Sequence, residues 1–214
     1  MINNKIFSIS GRVIHDKVPP YVIAELSANH NGSVETAFRL IEEAKKAGAD
    51  AVKLQTYTAD TITLNCNNEE FKIRGGLWDG YTLYDLYQKA HTPWVWHAPL
   101  FEYARKVGIT IFSAPFDNTA VDLLEDLNTP AYKIASFEAV DLALIKYVAS
   151  TNKPMIISTG MAAIDEIEEA IDAAYSGGCK ELAIMHCVSG YPTPPSDCNL
   201  HTIHDLRKRF DVVV

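Results

Sequence analysis

Tyr21-Val22-Ile23-Ala24-Glu25-Leu26-Ser27, followed by Ser33 and then by Ala37, Leu40, Ile41 and Ala44, is the stretch on which the fold turns. Its first seven residues, apolar and β-branched with turn formers behind them, read as a strand. The next four apolar residues fall at i, i+3, i+4 and i+7, one face of a helix that Ser33 caps and Gly48 stops. The cycle recurs outward along the chain. Ala51-Val52-Lys53-Leu54-Gln55-Thr56-Tyr57 is a second strand, and Thr110-Ile111-Phe112-Ser113-Ala114-Pro115-Phe116 a third, whose helix buries Val121, Leu124 and Leu127. Ala131-Tyr132-Lys133-Ile134-Ala135-Ser136-Phe137 precedes a helix capped by Asp141. Pro154-Met155-Ile156-Ile157-Ser158-Thr159-Gly160 precedes one with Ile164, Ile167, Ile171 and Ala174 on its apolar face. Leu182-Ala183-Ile184-Met185-His186-Cys187-Val188-Ser189 is a sixth strand, and residues 212–214 open a seventh.

Strands that alternate with helices make right-handed parallel units, in an open doubly wound sheet or a closed barrel. Two observations favour the barrel. No G-x-G-x-x-G follows the first strand. Polar residues (Glu25, Gln55, Ser113, Ser136, Glu138, Ser158, Ser189) stand at the C-terminal ends of nearly all the strands, the face on which barrels assemble their sites. The fold class is therefore α/β: a (β/α)8 TIM-type barrel, truncated after about six and a half βα units. Phe7-Ser8-Ile9-Ser10-Gly11-Arg12-Val13-Ile14 alternates and turns at Gly11, a β-hairpin ahead of the barrel. Residues 1–20 are thus an extension and residues 21–214 an incomplete barrel domain. Because a barrel needs eight strands to hide its edges, the chain is expected to be part of a longer protein. Residues 58–99, rich in aromatics (Trp78, Tyr81, Tyr84, Tyr87, Trp94, Trp96), are too long for a simple connection and read as an inserted lid.

Composition narrows the class. Of 214 residues 48% are hydrophobic and 21% charged, and 19 basic against 27 acidic side chains give a net charge of −8. Such a balance, with no basic run, argues against nucleic acid and against a polybasic membrane surface. No apolar stretch is long enough for a membrane helix, and the N-terminus lacks the order of a signal peptide. Cys66, Cys179, Cys187 and Cys198 are too few for a disulfide scaffold and read as reduced thiols of a cytoplasmic protein.

Alternation puts Lys53 and Gln55 on one inward face of the second strand. An inward lysine needs an anion or a Schiff-base partner. With Lys133 and the hydroxyls of Ser136, Ser158 and Ser189, it suits a small, multiply charged anion such as a phosphate. The alternative is that each lysine pairs with Glu25 or Glu138 and only holds the barrel together. Parity forbids Lys133 and Ser136 from sharing a face of a regular strand, so a bulge separates them or one points outward. Glu25 and Glu138 are acid/base candidates whose burial and neighbouring lysines pull the pKa in opposite directions. His30 lies in a turn-like Asn29-His30-Asn31-Gly32. His186 reads as a core residue of the sixth strand, and His201 and His204 as the start of a surface helix. No set of His, Cys, Asp and Glu reads as a metal site.

Five segments taken together resemble the sialic acid synthase family, the phosphoenolpyruvate-dependent nonulosonic acid synthases. They are Ile23 to Gly32, Val52-Lys53-Leu54-Gln55-Thr56, Ala131 to Glu138, Ile157-Ser158-Thr159-Gly160-Met161 and His186 to Pro194. Residues 77–87 and 91–97 look most like its pseudaminic acid synthase branch. The resemblance implies a (β/α)8 barrel that condenses phosphoenolpyruvate with an open-chain N-acylated amino sugar and releases phosphate. By resemblance, Lys53, Lys133, Ser136, Ser158 and Ser189 hold phosphoenolpyruvate, Gln55 and Tyr191 face the sugar with Glu25, and Glu138 moves a proton. Ala114 and Ser189 depart from the family, where a Thr and an Asn stand. The resemblance also implies a homodimer and a divalent metal, manganese or magnesium, in the full-length enzyme. It places the metal-binding histidines and a C-terminal domain after Val214, so that this chain by itself is expected to be inactive. The rival readings are a Schiff-base aldolase using Lys53 or Lys133, and a non-catalytic barrel fragment serving only for binding or assembly.

Overall fold

The computed structural model describes residues 7–15, 17–190 and 192–214. Two compact units divide the chain: Val22–Leu127, and Asn128–Val214 together with the segment up to Tyr21. That leading segment forms the expected hairpin. β1 (Phe7–Ile9) pairs antiparallel with β2 (Arg12–Ile14), with Ile9 opposite Arg12. Between them Ser10 and Gly11 have φ of 50° and 79°, the backbone a two-residue type I′ turn requires. Phe7 and Ile9 are buried, and Ser8 Oγ donates to Glu181 Oε1 at 3.0 Å, holding the hairpin where the last strand of this unit begins.

In Val22–Leu127 three parallel strands lie in the order β3 (Ile23–Glu25), β4 (Ala51–Thr56), β5 (Thr110–Pro115). Between β3 and β4, α1 (Val34–Lys46) is capped as expected: Ser33 Oγ accepts from the Thr36 N–H at 3.2 Å. Ala37 and Ile41 are buried. The long connection from β4 to β5 carries α2 (Ala59–Ile62), α3 (Leu83–Ala90) and α4 (Trp94–Val107). The insertion therefore ends at Pro93, not near Pro99. Pro99 lies inside α4, where burial of His97, Leu100, Phe101 and Ala104 outweighs the one hydrogen bond its ring removes. After β5, the Asp117 carboxylate accepts from the N–H groups of Thr119 and Ala120 and caps α5 (Asn118–Asp126). Val121 and Leu124 are buried, but Leu127 sits at the C-cap and is only half-buried, because the helix has already ended.

The other unit repeats the pattern with β6 (Tyr132–Ile134), β7 (Met155–Ser158) and β8 (Leu182–Met185), again parallel and in that order. Asp141 Oδ1 accepts from the Leu144 N–H at 2.9 Å and caps α6 (Leu142–Ser150). α7 (Ile164–Ser176) buries Ile167, Ile171 and Ala174; Ile164, its first residue, is exposed, contrary to the sequence reading. α8 (His201–Arg209) follows β8, and Val213 then bridges in parallel to Ala183, its carbonyl accepting from Ile184 N–H at 2.8 Å. That is the expected opening of another strand. The strands are shorter than the apolar runs that predict them. β8 stops at Met185, so His186 is not a strand residue; its Nε2 lies 2.7 Å from the Cys198 carbonyl and donates to it.

Candidate active site

The parallel register sets Glu25, the last residue of β3, beside Lys53 of β4. Lys53 is 3% exposed, and its Nζ lies 2.7 Å from Glu25 Oε2, while the Glu25 side chain is 53% exposed. The pairing alternative is thus realised at Lys53: a buried ammonium is compensated by a carboxylate that keeps its other side in water. Gln55, two residues on, is half-buried. The chain behind Glu25 turns tightly, with positive φ at Ser27, Asn31 and Gly32, and His30 is buried within that turn. Backbone of this kind is uncommon outside glycine and concentrates where surrounding structure over-determines it.

Ser113 does not belong to the strand-end set. It lies inside β5, fully buried, with its Oγ 2.7 Å from Thr56 Oγ1, which is 2.9 Å from His97 Nε2. His97 Nδ1 is 3.3 Å from the Pro93 carbonyl, which can only accept, so Nδ1 carries the proton and Nε2 accepts from Thr56. Burial pushes the His97 pKa down to about 4 and keeps the ring neutral. The spacing of the sequence held no sign of this chain, because its three members lie on three elements.

In the second unit β6 ends at Ile134, and Ser136 has helical backbone (φ −63°, ψ −36°) ahead of a short 3-10 turn, Phe137–Val140. The parity conflict between Lys133 and Ser136 therefore dissolves without a bulge: the strand stops between them, and Phe137 leaves the strand too. Lys133 is half-buried on β6, and Ser158, the last residue of β7, is 1% exposed. Thr159 donates from both its N–H and its hydroxyl to the Met185 carbonyl, at 3.0 and 3.1 Å, drawing the ends of β7 and β8 together. Gly160 sits at their meeting point. A Cβ there would lie 2.8 Å from the Cys187 carbonyl oxygen, 2.9 Å from Ser189 Oγ and 3.0 Å from Ser136 Oγ. Hydroxyls that follow β6 and β8 thus converge on the bare Cα that follows β7. The sequence reading chose both serines and gave Gly160 no role; its position one residue past Ser158-Thr159 is the only signal it offers. Ser189 is exposed and lies beyond β8 rather than in it. Tyr191 lies outside the described residues.

Glu138, in the 3-10 turn, is half-buried with no partner for its Oε2 among the described residues. Burial raises its pKa, and the positive charge of Lys133 and a hydrogen bond from its own backbone pull it back only in part. Desolvation wins the contest that the sequence left open. Within this unit the residues offer hydroxyls around a glycine, a lysine and a carboxyl whose pKa is raised, equipment to bind an oxyanion and move a proton. Among the described residues no three His, Cys, Asp or Glu side chains come together to hold a metal ion. They do not fit the divalent metal that the resemblance implies. No helix among them is long and apolar enough to cross a membrane.

Comparison with known proteins gives these residues a context. The model of the NeuB family matches residues 40–214. The pseudaminic acid synthase of Helicobacter pylori is 49% identical over 194 residues, 91% of this chain and 57% of its own length. The chain thus spans little more than half of this relative. Among solved structures, the N-acetylneuraminic acid (sialic acid) synthetase of Leptospira borgpetersenii superposes with a TM-score of 0.85 at 27% identity, covering 97% of this chain and 68% of that one. A truncated 3-deoxy-D-arabino-heptulosonate 7-phosphate synthase of Thermotoga maritima superposes at 0.65 with 12% identity, over 97% and 66%, a likeness of fold alone. The fold class expected from the sequence, a TIM-type barrel carried through six βα units behind an antiparallel hairpin, is the one these matches show.

Proposed function

We propose a function from one premise: the chain belongs to the NeuB family. The full-length protein condenses phosphoenolpyruvate with an open-chain N-acylated amino sugar to give a nonulosonic acid, pseudaminic acid, and phosphate. The observation that carries this reading is the 49% identity to a pseudaminic acid synthase along 91% of the chain. Lys53 and Lys133 neutralise the phosphate and carboxylate, and Ser136, Ser158 and Ser189 donate hydrogen bonds to them. Gln55, Glu25 and Tyr191 hold the sugar with its aldehyde next to the methylene carbon. That carbon attacks the aldehyde, forming the new C–C bond and leaving an electron-poor carbon that bears the phosphate oxygen. Water adds there and gives a proton to Glu138, which delivers it to the former aldehyde oxygen; the new hydroxyl then loses its proton to the departing phosphate as the C–O bond breaks and the ketone forms. An exposed Glu25 oxygen remains free to face a substrate while the other holds Lys53.

A homodimer in the cytoplasm, a barrel domain over residues 21–214 behind a 1–20 extension, and a manganese or magnesium site built outside the described residues complete the proposal; each is drawn from the sequence and the resemblance. The Schiff-base alternative, in which Lys53 or Lys133 attacks a keto substrate, would form an imine that borohydride traps, whereas the condensation forms none. The test is phosphate release by the full-length protein. It should require both phosphoenolpyruvate and an N-acylated amino sugar, and borohydride should trap no keto substrate. Release without the sugar, or borohydride inactivation, would overturn the proposal.

A further inference from the structure

Gly160 has no part in that mechanism, yet it sits where the hydroxyls that serve it meet. It lies outside the left-handed region that Gly178, with φ of 108°, occupies, so its backbone does not call for glycine. A glycine at such a position gives up stability relative to alanine, and what it supplies in return is space. A Cβ built on Gly160 would lie 2.8 Å from the Cys187 carbonyl oxygen, closer than a real Cβ comes, and that oxygen moves only with its chain. The same Cβ would lie 2.9 Å from Ser189 Oγ and 3.0 Å from Ser136 Oγ. Ser136 is buried and Ser189 exposed, so one hydroxyl is sealed and the other faces solvent. Neither is hydrogen-bonded to another described residue, which leaves both free to donate to a ligand. One residue ahead, the N–H and the hydroxyl of Thr159 both donate to the Met185 carbonyl, at 3.0 and 3.1 Å, and fix how near the end of β7 comes to the chain leaving β8.

We propose that Gly160 is a positioning residue: its missing side chain lets the chains that follow β6 and β8 close on the end of β7, and so sets the Ser136 and Ser189 hydroxyls at the spacing that binds one anion. The consequence for phosphoenolpyruvate rests on the function proposed above; the spacing itself does not. Gly160→Ala fills the space and pushes residues 187–189 outward, taking the Ser189 hydroxyl with them. Thr159→Val is the milder counterpart. It keeps the N–H bond to Met185, so that the carbonyl is not left unpaired, but removes the second tie.

The experiment uses the full-length protein, calorimetry with phosphoenolpyruvate as the probe, and hydrogen exchange. Ser136→Ala and Ser189→Ala should each weaken binding about tenfold, the scale of a hydrogen bond to a charged group. Gly160→Ala should weaken it about a hundredfold. Either serine substitution added to Gly160→Ala should then cost little more, because residues that act through one arrangement are not additive. Thr159→Val should weaken binding about threefold, and in both variants the amide hydrogen at position 159 should exchange faster. Wild-type affinity in Gly160→Ala, or serine losses that stay as large in its background, would make Gly160 a packing residue and overturn the positioning role. If Gly160→Ala does not fold, Thr159→Val decides in its place, and unchanged affinity there overturns the role. If the wild type binds no phosphoenolpyruvate, or both serine variants bind it as tightly as the wild type, the functional reading of the serines fails. Exchange at position 159 in Gly160→Ala then still decides the spacing: faster exchange supports it, and unchanged exchange overturns it.

Discussion

Glu138 carries the sharpest consequence of any single residue. Burial raises its pKa against the partial opposition of its own backbone and of Lys133, which suits the proton-taking role proposed for it. Glu138→Gln in the full-length protein should lower turnover by roughly a hundredfold or more, the usual reach of a general base, without weakening phosphoenolpyruvate. The acid limb of the wild-type rate profile should lie above the ordinary carboxylate value and vanish in the variant. Near-normal turnover would remove Glu138 from the mechanism. The Glu25–Lys53 pair predicts an asymmetry of another kind. Glu25→Ala leaves a buried ammonium without its partner and should cost about 3 kcal/mol of stability. Lys53→Met leaves only an exposed carboxylate in water and should cost about 1 kcal/mol or less. Urea unfolding of both variants measures this, and equal losses would mean that Lys53 is not sealed from solvent as its burial indicates. The sequence named both pairs of residues because charge stands out in an apolar strand. It could not rank burial against neighbouring charge at Glu138, since that balance is set by side chains remote in sequence.

At the scale of elements, His97, Thr56 and Ser113 fasten α4 to β4 and β5 through a chain of buried hydrogen bonds. His97 has an ordinary pKa of 6.5 when unfolded and about 4 when folded. Between those values the unfolded chain binds a proton that the folded one refuses, so stability is full above 6.5, falls as pH drops towards 4, and is level below. The loss across that window should be about 3 kcal/mol. His97→Gln should unfold more easily at pH 7 yet lose less of its remaining stability on acidification. Urea unfolding at several pH values compares the two, and identical pH slopes would show that His97 takes up its proton freely in the fold. Apolar runs, with caps at Ser33 and Asp141, made six strands and most of their partner helices legible. The ends were not. Ser136 and His186 leave their strands early because the polar groups after β6 and β8 turn towards Gly160 and Cys198 instead of extending the ladders. Pro99 concealed the start of α4 for a related reason: a local rule was overridden by burial that no local window contains.

Across the whole molecule the strand edges decide how stability is distributed. β3 is three residues long and pairs only with β4 among the described residues, whereas β4 pairs on both sides over its full length. In the other unit β8 is flanked by β7 and, through Ala183 and Val213, by the opening of a further strand. An edge strand keeps one row of backbone groups open to water and is the first part of a sheet to exchange. Ile23, Ala24 and Glu25 should therefore exchange their amide hydrogens well ahead of Val52, Lys53 and Leu54 in the 214-residue chain. A (β/α)8 barrel closed through its eighth strand leaves no such edge. Where such closure covers β3, the difference between β3 and β4 should accordingly shrink, and Glu25 should be held as firmly as Lys53 beside it. If β3 is already as protected as β4 in the shorter chain, some contact other than strand pairing covers that edge, and the firmness of Glu25 does not depend on closing the barrel.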